Sequence, residues 1–305
     1  MATAREIQRR MRSVRNIRQI TKAMELIAVT RLRRAQQRVL AARPYAGKLG
    51  DLVAQIAAHS HGEGNATGPA HPLLAVAKSV RRSGVVLVTS DRGLCGALNG
   101  NVIRAALAHA GRERAAGREV AFIAVGRKAM NGLRHSPYRV LADFQGVGDN
   151  PSMAKASPVA QAAIAAFVAA DIDEAVIVYP RFVSTLRQDP TVRPLLPIIP
   201  AEARDPHRPH PPSGGADDQG GFLLEPDTDT LLGQILPRFV EVQVYQAILE
   251  AIASEFSARM VAMRNATDNA TDLIKSLQLG YNKARQATIT REIIEVSSGA
   301  MALGK

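Results

Sequence analysis

From Arg238 to Val296 the sequence contains no proline and a single glycine, Gly280. Apolar residues return every three or four positions along it: Phe239, Val242, Tyr245, Ile248 or Leu249, Ile252, Phe256, Met260 and Met263, then Leu273, Leu277, Tyr281, Ala284, Ile293 and Val296. That is the period of one face of a helix. A single helix over this stretch is roughly 90 Å long at 1.5 Å per residue. A compact domain cannot enclose such a rod, so an apolar strip must lie along it.

The other end of the chain offers that strip. Residues 1–58 carry Ile7, Met11, Val14, Ile17, Thr21, Met24, Ala28, Ala35, Ala42, Tyr45, Leu49, Leu52 and Ile56 in steps of three and four that sum to sevens. Seven is the coiled-coil period. Ala28, Ala35 and Ala42 permit close approach of a neighbouring helix, and Pro44 predicts a local kink or shift. The whole chain is tryptophan-free and only 4% aromatic, so alanine and aliphatic side chains must carry the packing. Residues 1–58 hold 13 basic and 3 acidic residues, whereas 228–305 hold 8 of each. The net charge of +12 therefore sits mainly on the first helix. Its face of Arg5, Arg9, Arg12, Arg15, Arg31, Arg33, Arg34 and Arg38 suits an anionic partner: nucleic acid, a membrane surface or an acidic protein. No aromatic residues interleave with these arginines for base stacking, which argues against nucleic acid.

Between the two helices the pattern changes. Residues 59–72 read as a polar linker and 200–227 as a flexible Pro/Gly-rich loop. Within 73–199, short β-branched runs at Gly84–Ser90, Val120–Gly126, Tyr138–Phe144 and Ala175–Tyr179 alternate with helices near 97–116, 127–135 and 158–170. Val192–Ile199, broken by Pro194 and Pro197, is at best an edge strand. Alternation of this kind implies a mostly parallel sheet. The expected architecture is a Rossmann-like α/β domain over 73–199, set between an N-terminal coiled-coil helix at 1–58 and a C-terminal one at 228–305. The two terminal helices are expected to pair antiparallel.

Little in the chain resembles an active site. The loop Ser90, Asp91, Arg92, Gly93, Leu94, Cys95, Gly96 follows a strand and precedes a helix, where α/β sheets bind phosphates. Its glycine pattern is GxxG, however, and the chain has neither GxGxxG nor GxxxxGK[ST], so a tight turn or partner contact is favoured. Cys95, the only cysteine, has no histidine close in sequence to act as its base and excludes an internal disulfide. His59, His61, His71, His207 and His210 read as solvated linker histidines. Glu250, Glu255, Asp268 and Asp272 read as a solvated or ion-paired helix surface. No apolar run reaches the ~18 residues of a membrane span, and no secretory signal is evident. Two rival readings follow from the pattern alone: a dehydrogenase with helical arms, and a nucleic-acid-binding coiled coil.

Six stretches together resemble one family. They are Ile20–Gln36 (ITKAMELIAVTRLRRAQ), Ala42–Ala46 (ARPYA), Thr89–Asn99 (TSDRGLCGALN), Gly146–Ser152 (GVGDNPS), Val240–Ala270 and Tyr281–Ala300. The last contains Ile289, Thr290, Glu292, Glu295, Gly299 and Ala300 in the spacing of a C-terminal signature. The chain resembles the gamma subunit of bacterial F-type ATP synthases across nearly its whole length. The resemblance implies a non-catalytic central rotor shaft without cofactor. Its terminal helices would form a coiled coil inside a ring of three alpha and three beta subunits. Its α/β domain would stand on the proton-driven c-ring beside the epsilon subunit, on the cytoplasmic side of the cell membrane. It further implies rotor–stator coupling contacts at Met24, Arg259, Arg285, Gln286, Thr290, Glu292 and Glu295, with Met24 and Arg259 facing each other. Asp91, Arg92, Gly93, Leu94, Cys95, Gly96, Gly299 and Ala300 match the family's motifs. No cysteine pair is present, so the redox-regulatory insert of chloroplast members is missing.

Overall fold

The computed structural model describes residues 4–60, 71–77, 79–199 and 228–303. Ten elements follow in order: α1 (Ala4–Ser60), β1 (Arg82–Val88), α2 (Leu98–Ala115), β2 (Glu119–Val125), α3 (Arg127–Leu133), β3 (Arg139–Phe144), α4 (Met153–Val168), β4 (Glu174–Phe182), β5 (Gln188–Leu196) and α5 (Thr228–Leu303). A short 3₁₀ turn, Pro72–Leu74, precedes β1. Most of the linker expected over 59–72 and the whole loop expected over 200–227 lie outside the described residues, with His61, His207 and His210. The chain divides into two compact units, Arg31–Ala258 and the pair Met1–Thr30 with Arg259–Lys305.

In the unit Arg31–Ala258 the sheet has the order β3-β2-β1-β4-β5. β1 pairs in parallel with β2 and β4, and β2 in parallel with β3. Only β5 runs antiparallel, against β4. It is an edge strand, which is where Pro190 and Pro194 are tolerated, since neither can donate to a ladder. Both faces of the sheet are covered. Val85, Leu87, Phe122 and Ala124 pack with Val102, Ala106, Ala110, Ala129 and Leu133 of α2 and α3. Val86, Val88, Ile123, Val125 and Ile177 instead join Ala156, Val159, Ala160 and Ala163 of α4 and Phe239, Ile248, Leu249 and Ile252 of α5. The alternation of Val85 and Leu87 with Val86 and Val88 is the two-residue pleat. Burial on both faces explains why these strands read as continuous apolar runs.

Two features of this unit depart from the sequence pattern. Helix α4 begins at Met153 rather than near 158 and runs on through Pro158, which forgoes the backbone bond to the Ala154 carbonyl. Tyr45, expected in the apolar seam of α1, is exposed, while Leu32, Val39 and Val53 are buried. Helix α1 runs on through Pro44.

The unit Met1–Thr30 with Arg259–Lys305 is a helix pair. The hydroxyls of Thr21 and Thr267 meet at 2.8 Å. Each hydroxyl has one proton, so one of the pair donates across the seam and the other to its own helix: Thr21 to the Arg18 carbonyl at 3.1 Å, or Thr267 to that of Met263 at 2.8 Å. Met11 and Ala28 of α1, and Met263 and Ala270 of α5, are buried in this unit. The register shows the direction of pairing. Seventeen residues back from Thr21 is Ala4, the first described residue of α1, and seventeen forward from Thr267 is Ala284. Partial burial of α5 ends at Ala284, and from Arg285 to Met301 every residue is exposed. Parallel pairing would run α1, helical to Ser60, alongside 285–301 and cover it, so the helices are antiparallel. Ile17 and Leu273, both expected in the seam, are exposed, and half-buried Ile274 faces inward in place of Leu273. A 3.6-residue helix drifts against a strict seven-residue repeat, and such slips are its consequence.

Candidate functional site

The end of α5 is an apolar surface that its own unit leaves uncovered. Ile289, Ile293, Val296 and Met301 are 42%, 63%, 73% and 76% exposed. Ile289, Ile293, Val296 and Ala300 share one stripe, edged by Glu292 and Ser297. Arg285, Gln286, Thr290, Glu292, Glu295, Gly299 and Ala300 are all exposed on this segment. The segment remains helical although no other part of its own unit covers it, because α5 extends an already nucleated helix at low cost.

Met24 and Arg259 belong to the same helix pair. Met24 is half-buried and Arg259 buried. They do not face each other at one level, as the resemblance implies. Counting from the Thr21–Thr267 contact, Met24 lies opposite Arg264 and Arg259 opposite Val29. The two are thus offset by five residues, roughly 7.5 Å along the axis.

The Asp91 loop is a brace in the sheet unit. The Asp91 carboxylate accepts from Arg127 N at 3.0 Å, the first residue of α3, and from Gly146 N at 3.1 Å. One side chain after β1 therefore ties down the loops after β2 and β3. It also occupies the position at the head of α3 where an anion would dock, so the chain's own carboxylate opposes a phosphate there. Ser90 Oγ donates to Arg92 O at 2.6 Å, and Ser90 N donates to Asn99 Oδ1 at 3.1 Å. Cys95 is buried with Asn99 Nδ2 donating to its Sγ at 3.2 Å. The loop needs left-handed backbone at Leu94 (φ 64°) and Gly96 (φ 60°). Leu94 bears the steric cost of that conformation while 61% exposed. Arg92 stands 3.9 Å from Asp149, and both are exposed.

Several carboxylates and one histidine behave differently from their sequence reading. His71 is half-buried rather than solvated, and its Nδ1 accepts from Leu73 N at 3.2 Å. Burial lowers its pKa. Asp268 and Asp272 are exposed, as expected of a helix surface. Glu250 and Glu255 are instead buried. Burial raises the pKa of Glu250, against the opposing pull of Arg43, Arg193, a hydrogen bond with Gln246, and Arg181. The clue in the sequence is their setting, AILEAIASEF, where both glutamates interrupt an otherwise apolar or small run. Among the described residues no group of His, Cys, Asp or Glu is arranged to hold a metal ion.

Comparison with known proteins gives these surfaces a context. The family model described as ATP synthase matches residues 3–303. A Herpetosiphon aurantiacus protein named ATP synthase gamma chain is 45% identical over 310 residues, spanning 100% of both chains. A Roseiflexus protein of the same name is 43% identical over 305 residues, again spanning 100% of both. Among solved structures, a chain of the Euglena gracilis mitochondrial ATP synthase OSCP/F1/c-ring assembly has a TM-score of 0.62 at 21% identity, covering 98% of this chain and 94% of its own. A chain of the Tetrahymena thermophila mitochondrial ATP synthase central stalk and c-ring has a TM-score of 0.59 at 22% identity, covering 81% and 99%.

Proposed function

The chain belongs to the ATP synthase gamma-chain family, and from that premise we propose how its surfaces divide the work of a central rotor shaft. As a gamma chain it is a non-catalytic subunit of a membrane-associated complex. None of its described helices is long and apolar enough to cross a membrane. The function is mechanical. Ion flow through the membrane sector turns the shaft, and the turning shaft biases nucleotide sites on neighbouring subunits. A rotor angle shifts nucleotide affinity only through contacts that differ between the states of those sites.

In our reading the exposed end of α5 is the bearing, held within a ring of three alpha and three beta subunits. The observation that carries this is the segment Arg285–Met301, helical and exposed throughout. Its apolar stripe gives low-cost sliding, while Arg285, Gln286, Thr290, Glu292 and Glu295 offer polar contacts that form and release. Exposed ion pairs are worth roughly 0–1 kcal/mol, weak enough to break at every step. Met24 and Arg259 act lower on the helix pair, where an arginine can engage an acidic lever through two donors. The sheet unit takes the foot of the shaft, against the c-ring and the epsilon subunit, on the cytoplasmic side of the cell membrane.

Co-purification of the chain with alpha and beta subunits, followed by ATP hydrolysis assays with and without it, tests this reading. Stable association and chain-dependent hydrolysis are expected. A chain that neither associates nor alters hydrolysis refutes it.

A further inference from the structure

Helix α5 carries a polar face inside its most apolar stretch. Gln243, Glu250, Ser254 and Ser257 are spaced seven, four and three residues apart, which places them on one side of the helix. Ser254 is fully buried and its Oγ donates to the Pro180 carbonyl at 2.8 Å. Ser257 is likewise buried; its Oγ donates to the Thr185 carbonyl at 2.6 Å and accepts from Gln188 Nε2 at 3.3 Å. Glu250 is 5% exposed, and its Oε2 has no hydrogen-bond partner. The charged and titratable groups around it come from three elements: Arg43 of α1, Tyr179 and Arg181 of β4, and Arg193 of β5. Arg193 also hydrogen-bonds Tyr179, and Arg181 lies 3.9 Å from Asp189 of β5. All of these belong to the unit Arg31–Ala258.

The rest of the core that α5 joins is apolar, aliphatic side chains with Tyr179 and Phe239 among them. Apolar burial has no preferred direction, so it fixes the rotational setting of a helix less sharply than a hydrogen bond does. A hydrogen bond weakens steeply once its angle is lost. Polar contacts in a row along the helix therefore fix its rotational setting. We propose that the hydrogen bonds of Ser254 and Ser257 to β4, the turn after it and the start of β5, with buried Glu250 in the charge field of Arg181 and Arg193, form the joint that carries torque between the sheet and α5. The three are positioning residues: they act through the setting of α5. This rests on the reading of the chain as a shaft driven through its sheet unit.

Stability separates such a role from a merely structural one. Burial raises the pKa of Glu250 above its ordinary value, so the ionised form is penalised by folding. Its contribution to stability grows as pH falls and is unfavourable above the folded pKa. Above the ordinary carboxylate pKa the fold therefore bears a cost at this group, and Glu250→Gln removes it. A residue kept for stability alone predicts the opposite.

The test uses the complete ATP synthase complex in sealed vesicles, with the chain as E250Q, S254A, S257A or the triple variant. ATP hydrolysis, ATP-driven ion pumping against an imposed gradient, and the melting temperature of each purified chain are measured. Hydrolysis is expected to stay within about twofold of the parent, while ions pumped per ATP fall by about threefold or more in the triple variant at steep gradients, on the scale of losing one or two net hydrogen bonds. E250Q is expected to melt no lower than the parent. Unchanged pumping per ATP in the single and triple variants overturns the proposal, as does a pumping loss that only tracks lost melting temperature. S257A, which touches only the turn and the first residue of β5, guards against a triple variant that fails to fold. If the complex with the parent chain hydrolyses ATP without pumping, the shaft reading fails instead.

Discussion

Replacing Asp91 with alanine should loosen three loops at once. The substitution removes one carboxylate and strands two backbone donors, Arg127 N at 3.0 Å and Gly146 N at 3.1 Å. A hydrogen bond to a charged acceptor contributes roughly 1.5–3 kcal/mol. Asp91 is half-buried, so water recovers part of each, and the low end applies to both bonds: about 3 kcal/mol in total. For a unit of this size 1 kcal/mol moves Tm by about 2–4 °C, which puts D91A roughly 6–12 °C below the parent. An asparagine side chain in the same place keeps one acceptor oxygen but turns its NH₂ toward the second donor, so D91N should lose about half as much. Thermal unfolding followed by circular dichroism gives the shift. Amide hydrogen exchange gives its location: Arg127 N and Gly146 N should lose protection while the centre of β1 keeps it. A D91A chain melting within about 1–2 °C of the parent, the size of an ordinary surface substitution, would falsify the brace.

Other parts of the fold give independent outcomes. Gly126 has φ 92°, and a Cβ there would lie 2.4 Å from Thr89 O; Gly126→Ala should cost on the order of 3 kcal/mol or more, read by urea unfolding. Burial pushes the Asp173 carboxyl up, but Arg82 Nη2 at 2.7 Å and the amides of Arg81 and Arg82 outweigh it and hold the pKa below the ordinary value. Its stabilisation is therefore complete above about pH 4 and is lost as pH falls through the folded pKa. Asp173→Asn should weaken the chain at about pH 7 and be nearly neutral near the foot of the acid transition, as stability curves at both pH values will show. A double-mutant cycle of Thr21→Val and Thr267→Val should return a coupling of about 1 kcal/mol, and zero coupling would rule out the register. Deleting residues 289–303 should leave Tm within about a degree, since 289–301 are exposed throughout among the described residues. The same deletion should lower chain-dependent ATP hydrolysis in the complex.

Much of this was legible in the sequence because the dominant signals were periodic. The runs around Val86, Ile123 and Ile177 identified buried strands, and their alternation with helices gave a parallel sheet. Pro194 marked the edge that became antiparallel β5. The apolar steps of both terminal helices announced a long pair. Periodicity was silent on which side of a drifting stripe stays covered, and so Ile17, Tyr45 and Leu273 fell outside the seam. It was equally silent on Asp91, whose donors lie 36 and 55 positions away in sequence. Glu250 and Glu255 were misread for a related reason. A carboxylate on a helix is usually solvated, and burial here comes from elements distant in sequence that pack against α5.

Helix α5 shows why one pattern serves several ends. Its apolar positions keep the same spacing from Phe239 to Val296, yet their surroundings change twice. Near Phe239, Ile248 and Ile252 they face the sheet core. At Met263 and Ala270 they are buried in the helix pair. At Ile289, Ile293 and Val296 they are exposed. Periodicity fixes that a face exists and leaves its occupant open. The polar residues carry the distinction. Where α5 meets the sheet, Ser254 and Ser257 reach backbone carbonyls that only one rotational setting satisfies. In the helix pair Thr267 bonds a threonine across the seam and the carbonyl of its own Met263. At the end, Thr288 turns back to the Ala284 carbonyl. Directional contacts are thus present where α5 meets the sheet and α1, whereas at the exposed end the hydroxyl of Thr288 bonds within α5. That distribution is the one our proposal requires of a shaft that takes torque from its sheet and slips at its exposed end.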